Sequence, residues 1–423
     1  MVLTDLVQVI YAPQKAFKKI VANPKYLGAI IVLILFIGLQ MGYEYTQLSK
    51  TNVEITEPQP GLFQTTTQAS TGNWTSSSGA AISDSADYFN YTLYASNYGF
   101  YPNGFGNTSL QLSQQDAQAL SARIDNAFNV DCSGVGFQNL SMVVKLVDPA
   151  NAVPQNATLT LYNLNDNNYY TYDLTPQLSD ASLIGQWNNL TIPIGPNSET
   201  EWTTTGNPTW NNITSIKLDL SYANGENATV RIGALFFRGQ YLSLAQNDPL
   251  ILVFSVLQSV SLQFLILWLA IAAIMYLVLK GLKVELVWKP IFVSVGIALI
   301  VMVIRSVLCI AATLALPQIY YPWDLSTGLS FAPYGVIAFP TQATSILSVE
   351  SMAAFTSIEA ASASYRAICF FLFGACYVWL GILCTFIVGA VKPELSMSKR
   401  ILAAAVAVIV TVMVLVFLLL GYA

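Results

Sequence analysis

Catalysis needs positioned acids, bases, nucleophiles or metal ligands, and this chain lacks the most versatile of them. Its 423 residues include no histidine, which removes the commonest general base, proton shuttle and metal ligand. The five cysteines, Cys132, Cys309, Cys369, Cys376 and Cys384, show no CxxC spacing, so neither a zinc site nor a disulfide framework is indicated. Cys132 reads as a small buried hydrophobe, or as a thiol available to a partner chain. No carboxylate pair and no nucleophile with its base can be singled out, so the chain reads as non-enzymatic and without an organic cofactor.

Binding chemistry is better represented. Tyr169, Tyr170, Tyr172, Trp202 and Trp210 could stack on sugar rings if exposed, although the same residues pack the core of most β-sandwiches. Asp166, in the turn from Asn163 to Asn168, could join Asp125 or Asp131 in offering oxygen ligands to a structural calcium ion; the alternative is a solvated polar turn. Eight N-x-Ser/Thr sequons, at Asn73, Asn90, Asn107, Asn139, Asn156, Asn189, Asn212 and Asn227, would carry N-linked glycans on a surface facing outward. Arg305 lies well inside an apolar run, where a charge is a functional hypothesis by default. The expected arrangement is an ion pair with Glu350 or Glu359 that locks the intervening segment to the bundle.

The elements that position these residues follow from hydropathy. With 54% hydrophobic and only 10% charged residues, the chain is far less charged than soluble proteins, which average about 25%. Five runs are long enough to cross a bilayer: 27–43, 249–279, 290–316, 365–391 and 401–422. Lys15, Lys18, Lys19 and Lys25 precede the first, Lys280, Lys283 and Lys289 follow the second, and Lys392, Lys399 and Arg400 precede the fifth. These ten of 18 basic residues fall on one side after five crossings, which predicts a cytoplasmic N-terminus. Residues 1–26 form an amphipathic segment whose lysines reach lipid head groups while Ala16, Phe17 and Ile20 share a face. Gly38 and Gly42 make a GxxxG pattern that would permit close helix contact.

Residues 44–248 are then extracellular. They hold 17 acidic and six basic residues, a net charge of −11, which excludes electrostatic binding of nucleic acid. Residues 44–87 read as a Ser/Thr-rich stalk. From 88 to 248 period-two alternation recurs at 141–147, 157–162, 189–194, 215–222 and 229–237, predicting an antiparallel β-sandwich. Ala223-Asn224-Gly225-Glu226 reads as a hairpin turn. Residues 317–364, opening on Tyr320-Tyr321-Pro322-Trp323, read as an interfacial segment that includes an apolar stretch at 335–355. The expected fold class is a membrane α-helical bundle of five transmembrane helices plus an all-β jelly-roll sandwich.

Two resemblances add to this. Trp187 before a Thr-Ile-Pro-Ile-Gly strand, Trp210 to Ile216 leading into the next strand, and a strand ending Phe236-Phe237 together resemble the galactose-binding-like jelly rolls of carbohydrate-binding modules. That fold serves binding, adhesion and spacing alike. Tyr11 to Ile20 followed by Asn23-Pro24, Lys280-Gly281 to Trp288-Lys289-Pro290, and Val391 to Arg400 resemble segments of the Yip (Ypt-interacting protein) family, five-helix membrane proteins with a cytoplasmic N-terminus. The 200 residues between spans one and two depart from that family, so its roles in vesicle traffic transfer poorly.

The expected function is that of a cell-surface glycoprotein in the lipid bilayer, binding an envelope protein, a filament or a polysaccharide. The alternative is an accessory subunit of a larger membrane complex. A transporter or channel would require a polar path that the spans do not offer. Dense sequons without disulfides fit an archaeal surface.

Overall fold

Where apolar residues run without interruption the chain is helical, and where they alternate with hydroxyl and amide residues it is extended. The computed structural model describes residues 2–58, 73–89, 108–247, 249–285, 287–322, 330–331, 337–338 and 349–420. Two short helices, α1 (Val2–Tyr11) and α2 (Pro13–Ala22), precede five helices long and apolar enough to cross a membrane: Tyr26–Lys50, Leu257–Gly281, Trp288–Leu314, Ala353–Val391 and Met397–Leu415. In α2, Pro13 occupies the first turn, where its missing N–H costs nothing. Ala16, Phe17 and Ile20 are buried on one face while Lys15, Lys18 and Lys19 stay exposed, as the amphipathic pattern requires.

The third span is the centre of the bundle, with most of its length buried. Trp268 of the second span stacks on Phe292 at 4.5 Å and donates from Nε1 to the Phe292 carbonyl at 2.7 Å. Gly296 makes the contact possible, because a Cβ there would sit 2.5 Å from Trp268 and 2.6 Å from Ala29. The Gly38 and Gly42 pattern divides: Gly42 meets Ile310 of the third span, whereas Gly38 borders open space.

The β-sandwich is organised by two long strands, β4 (Ser109–Ile124) and β10 (Ile213–Ser243), which run antiparallel and pass together from one sheet into the other. The first sheet is β2 (Trp74–Thr75), β4, β10, β6 (Asn156–Asn163), β7 (Tyr169–Asp173) and β9 (Trp202–Thr205). The second is β3 (Ala81–Ser85), β4, β10, β5 (Asn139–Asp148) and β8 (Asn188–Pro193). The changeover lies where the register jumps from Ser221↔Ala119 to Glu226↔Ala117. Ala223 to Glu226 is therefore a corner, not the expected hairpin: the extra residues bend one continuous strand between sheets. Leu120, Ala122, Leu159, Leu161, Leu218 and Phe237 are among the buried residues between the layers.

The described parts of the expected stalk, 44–58 and 73–87, carry helix and strand, while 59–72 lie outside the described residues. The first span continues to Lys50, and Thr51 begins β1 (Thr51–Glu57), which pairs antiparallel with the end of β10. On its other edge β1 pairs parallel with β11 (Ile319–Tyr321), which follows the third span. The end of β10 leads through Leu244–Asn247 into the helix Pro249–Gly281. Three spans thus feed one β11–β1–β10 ribbon, which joins sandwich and bundle without a linker. Tyr321, expected in an interfacial aromatic run, is fully buried beneath that ribbon while Tyr320 is exposed. Trp323, and the stretch 335–355 apart from 337–338 and the helix from Val349, lie outside the described residues.

Candidate functional site

The outer face of the first sheet carries the residues that alternate with its core. In β6, Leu159 and Leu161 point inward while Thr158, Thr160 and Tyr162 occupy the opposite face. In β7, Tyr170 and Tyr172 are core and Tyr169 and Thr171 are outward. Cross-strand register aligns Thr75, Arg123, Lys217, Thr160, Thr171 and Thr203 in one row across all six strands. Beside it runs Ser215, Tyr162, Tyr169 and Thr205.

The aromatic and charged groups of this face are locked together. Tyr162 and Tyr169 rings lie 5.4 Å apart, and the Arg123 guanidinium sits 4.0 Å above the Tyr162 ring. Arg123 also binds Asp125 through Nε at 2.5 Å and Asp166 through Nη2. Burial opposes the Arg123 charge, but Asp166 and Asp125 outweigh it and hold the guanidinium above its usual pKa. Burial raises the Tyr162 phenol while Arg123 pulls the other way. Lys217 pairs with Asp219 at 2.9 Å. Tyr162 is itself buried beneath Arg123, so the face offers hydroxyls, the half-buried Tyr169 ring and cations whose charge is already met by carboxylates.

The turn that presents Asp166 is fixed by its backbone. Asn163 N–H donates to the Asn168 carbonyl at 2.9 Å, Leu164 takes a positive φ of 60°, and Asn168 Oδ1 accepts from Asn207 N–H at 3.0 Å. Gly206 is required there, since a Cβ would lie 2.3 Å from the Asn167 carbonyl oxygen. Asp166 and Asp125, two of the three possible calcium ligands, both meet the Arg123 guanidinium. Asp131 turns elsewhere and accepts from Ser133 N–H at 2.8 Å. Among the described residues no group of three or more metal-ligating side chains occurs.

Four of the five candidate sugar-facing aromatics belong to the core. Tyr170 stacks on Trp210 at 3.8 Å, and Trp202 meets both edge-on at 6.4 and 5.6 Å. The Tyr170 hydroxyl donates to Pro208 O at 3.0 Å and Trp202 Nε1 to Pro193 O at 2.8 Å. Burial pushes the Tyr170 phenol up to about 12 and also raises Tyr172. Their phase places them with the inward leucines, so only Tyr169 reaches the outer face. Sequence reasoning missed Tyr162, Arg123 and Lys217, although the Thr-Leu-Thr-Leu-Tyr alternation of β6 carries Tyr162 on the threonine side. Cys132 is fully buried, and burial raises its thiol pKa.

Of the sequons, Asn73, Asn156, Asn189 and Asn227 are exposed, Asn139 and Asn212 are half-buried, and Asn90 and Asn107 lie outside the described residues. Asn189 stands opposite Val143 on the second sheet, and Asn156 closes the far end of β6 opposite Ser221. The centre of the first sheet's outer face carries none.

Arg305 is buried at 3% exposure. The expected pair with Glu359 is absent, because Glu359 faces Arg366 at 3.6 Å; the Glu350 side chain lies outside the described residues. Arg305 instead lies 5.6 Å from the Phe373 ring centre.

No family model matches the chain, and a search of curated proteins finds no match. Solved structures similar to it include a family 11 carbohydrate-binding module from Clostridium thermocellum in complex with a β-1,3-1,4-mixed-linked tetrasaccharide, at 13% identity and TM-score 0.25, covering 39% of this chain and 88% of that one. The C-terminal family 22 carbohydrate-binding module of Clostridium thermocellum Xyn10B is similar at 13% identity and TM-score 0.20, over 42% and 88% of the two chains. An exo-β-agarase is similar at 12% identity and TM-score 0.26, over 39% and 23%. The sandwich itself is established by the strand pairing described above.

Proposed function

We propose that this chain is a non-enzymatic surface protein of the cell membrane, and that its sandwich binds an uncharged envelope polysaccharide across the first sheet's outer face. The observation that carries this reading is the aligned row bearing Thr75, Thr171 and Thr203 beside the half-buried Tyr169 ring, which is backed by the buried Tyr162 ring and the Arg123 guanidinium over it. A ring that presents a π-face and hydroxyls that donate and accept match the alternating C–H and O–H surface of a sugar chain. The charge balance favours an uncharged ligand: Arg123 already serves two carboxylates and Lys217 one, within a region of net charge −11. Basic residues clustered before the first span, after the second and before the fifth support a cytoplasmic N-terminus and an external sandwich. N-linked glycans at Asn189, on the second sheet, and at Asn156, at the far end of β6, would leave the centre of this face open. The five helices and their basic loops are compatible with a Yip-like anchor.

Co-sedimentation of the purified chain with insoluble uncharged polysaccharide tests the reading. Retention that is lost when Tyr169 is replaced by alanine, in a variant that melts as wild type, supports it. A second reading, accessory subunit of a larger complex, is favoured by the linker-free ribbon, which would transmit any load on the sandwich to the spans. Stoichiometric membrane subunits after purification in mild detergent would support that reading.

A further inference from the structure

The fourth and fifth spans flank an apolar crevice of about 530 Å³. Tyr377, Gly381 and Phe386 of the fourth span line one wall, and Met397, Ile401 and Ala405 of the fifth line the other. Small residues open it: a Cβ built on Gly381 would meet no atom within 4 Å. Thr385, on the same wall, turns its hydroxyl to the Gly381 carbonyl at 3.0 Å, so the lining stays apolar. From Met397 to Val412 the crevice follows the fifth span for about 22 Å. That exceeds the depth of one leaflet, about 15 Å for half of the hydrocarbon core.

One end of the crevice is charged. Met397 opens the fifth span directly after the loop from Lys392 to Ser396, and residues 392–400 hold Lys392, Lys399 and Arg400 against a single acid, Glu394, a net charge of +2. Arg400 is anchored there, with Nε donating to the Leu395 carbonyl at 2.9 Å and Nη2 to the Pro393 carbonyl at 2.5 Å. Its guanidinium lies on the fourth span at Gly389, where a Cβ would sit 2.9 Å from Nη1. Carbonyl oxygens carry no net charge, so these bonds position the cation without cancelling it. Ser396 and Ser398 flank Met397, both exposed, with their hydroxyls 3.2 Å apart. An apolar slot at membrane depth with cations and hydroxyls at one end matches the two parts of a lipid, a chain that needs burial and a phosphate that needs positive charge.

We propose that this crevice binds one molecule of an anionic membrane phospholipid, its chain lying between the fourth and fifth spans and its phosphate meeting Lys392, Lys399 and the Ser396 and Ser398 hydroxyls. A zwitterionic lipid can enter the same slot but brings its own cation toward a loop of charge +2, so the site discriminates by head group. The loop also favours a lipid over a partner's transmembrane helix. Helices carry their excess of Lys and Arg on the same side of the membrane, so a partner helix would set its basic flank against Lys392 and Lys399. The bound lipid would join the two spans along the face that the rest of the bundle does not cover.

The test uses the full-length chain, purified in mild detergent and washed free of lipid, with native mass spectrometry counting what is retained when phosphatidylglycerol or phosphatidylcholine is added. Wild type should retain one phosphatidylglycerol, on the order of tenfold more tightly than phosphatidylcholine. Lys392→Gln/Lys399→Gln leaves the Arg400 anchor in place and should lower phosphatidylglycerol binding to the phosphatidylcholine level. Gly381→Leu/Ala405→Leu fills the slot from both walls, and leucine is the better helix former at Gly381. That variant should elute and melt as wild type while retaining neither lipid. Equal retention of the two lipids by wild type, or undiminished phosphatidylglycerol on the filled variant, would overturn the assignment. So would a co-purifying membrane subunit that the filled variant releases.

Discussion

The Glu54 carboxylate holds the Arg238 guanidinium with both oxygens, Nε to Oε1 at 2.9 Å and Nη2 to Oε2 at 3.2 Å, and takes a third bond from Gly239 N–H at 2.7 Å. Glu54 is on β1, one residue after Val53, whose register partner Tyr321 ends the third span's strand; Arg238 is on β10. One buried ion pair therefore fastens the extension of the first span to the strand that enters the second. With the Glu54 side chain 1% exposed, solvent cannot substitute for either partner.

Glu54→Ala should destabilise the ribbon by about 3 kcal/mol, because it removes the buried carboxylate that binds both the Arg238 guanidinium and the Gly239 N–H. Thermal unfolding followed by tryptophan fluorescence should show a lower melting temperature, and limited proteolysis should cut near residue 240 first. An unchanged melting temperature would mean that the joint is held by strand pairing alone.

The separation of core from face can be tested with two tyrosines a single residue apart. Trp210→Ala and Tyr170→Ala remove partners in a 3.8 Å stack and should each cost about 3–5 kcal/mol of stability. Tyr169→Ala lies on the outer face and should cost about 1 kcal/mol or less. Chemical denaturation of the three variants checks the ranking.

Gly296→Leu should disrupt the bundle while sparing the sandwich. The added side chain would enter the space of Trp268 and Ala29, where even a Cβ is too close, and overpacking of this kind costs about 1–3 kcal/mol. Loss of a monodisperse peak in detergent is the expected result, with β-sheet circular dichroism retained.

The second sheet should respond to acid through Asp87. Hydrogen bonds from Lys145, at 2.8 Å, and from Arg231 hold its carboxyl below the usual carboxylate range. A pKa lower in the folded than in the unfolded chain gives stabilisation that is complete above the unfolded value, about 3.9. It is lost as pH falls through the folded value. The melting temperature of wild type should therefore drop more steeply than that of Asp87→Asn below about pH 4, with the two curves converging at the acid end.

Much of this architecture was legible because two periodicities dominate. Unbroken apolar runs announced the five spans, and the alternation at 141–147, 157–162 and 189–194 announced β5, β6 and β8. The rest was hidden for physical reasons. Thr51 to Glu57 does alternate Val53 and Ile55 with polar residues, but it is short and runs into a Ser/Thr-rich stretch, and its partners β10 and β11 come from distant parts of the sequence. The corner at Ala223 to Glu226 looks like a hairpin because both need extra polar residues, and the partner that distinguishes them, β4, is a hundred residues away. Among the aromatics, composition grouped Tyr169 with Tyr170, while phase along β7 separates them. Arg123 was invisible as a site residue because Asp125 is its sequence neighbour but Asp166 and Tyr162 reach it only through the fold.

The central claim is that the first sheet's outer face takes an uncharged polysaccharide. Isothermal titration of the purified full-length chain with soluble uncharged and acidic polysaccharides, beside the Tyr169→Ala variant, tests it most directly. Saturable heat with at least one uncharged polysaccharide, weakened by on the order of tenfold or more in the variant at unchanged melting temperature, is the predicted result. Equal binding by wild type and variant, or binding confined to acidic polysaccharides, would contradict it.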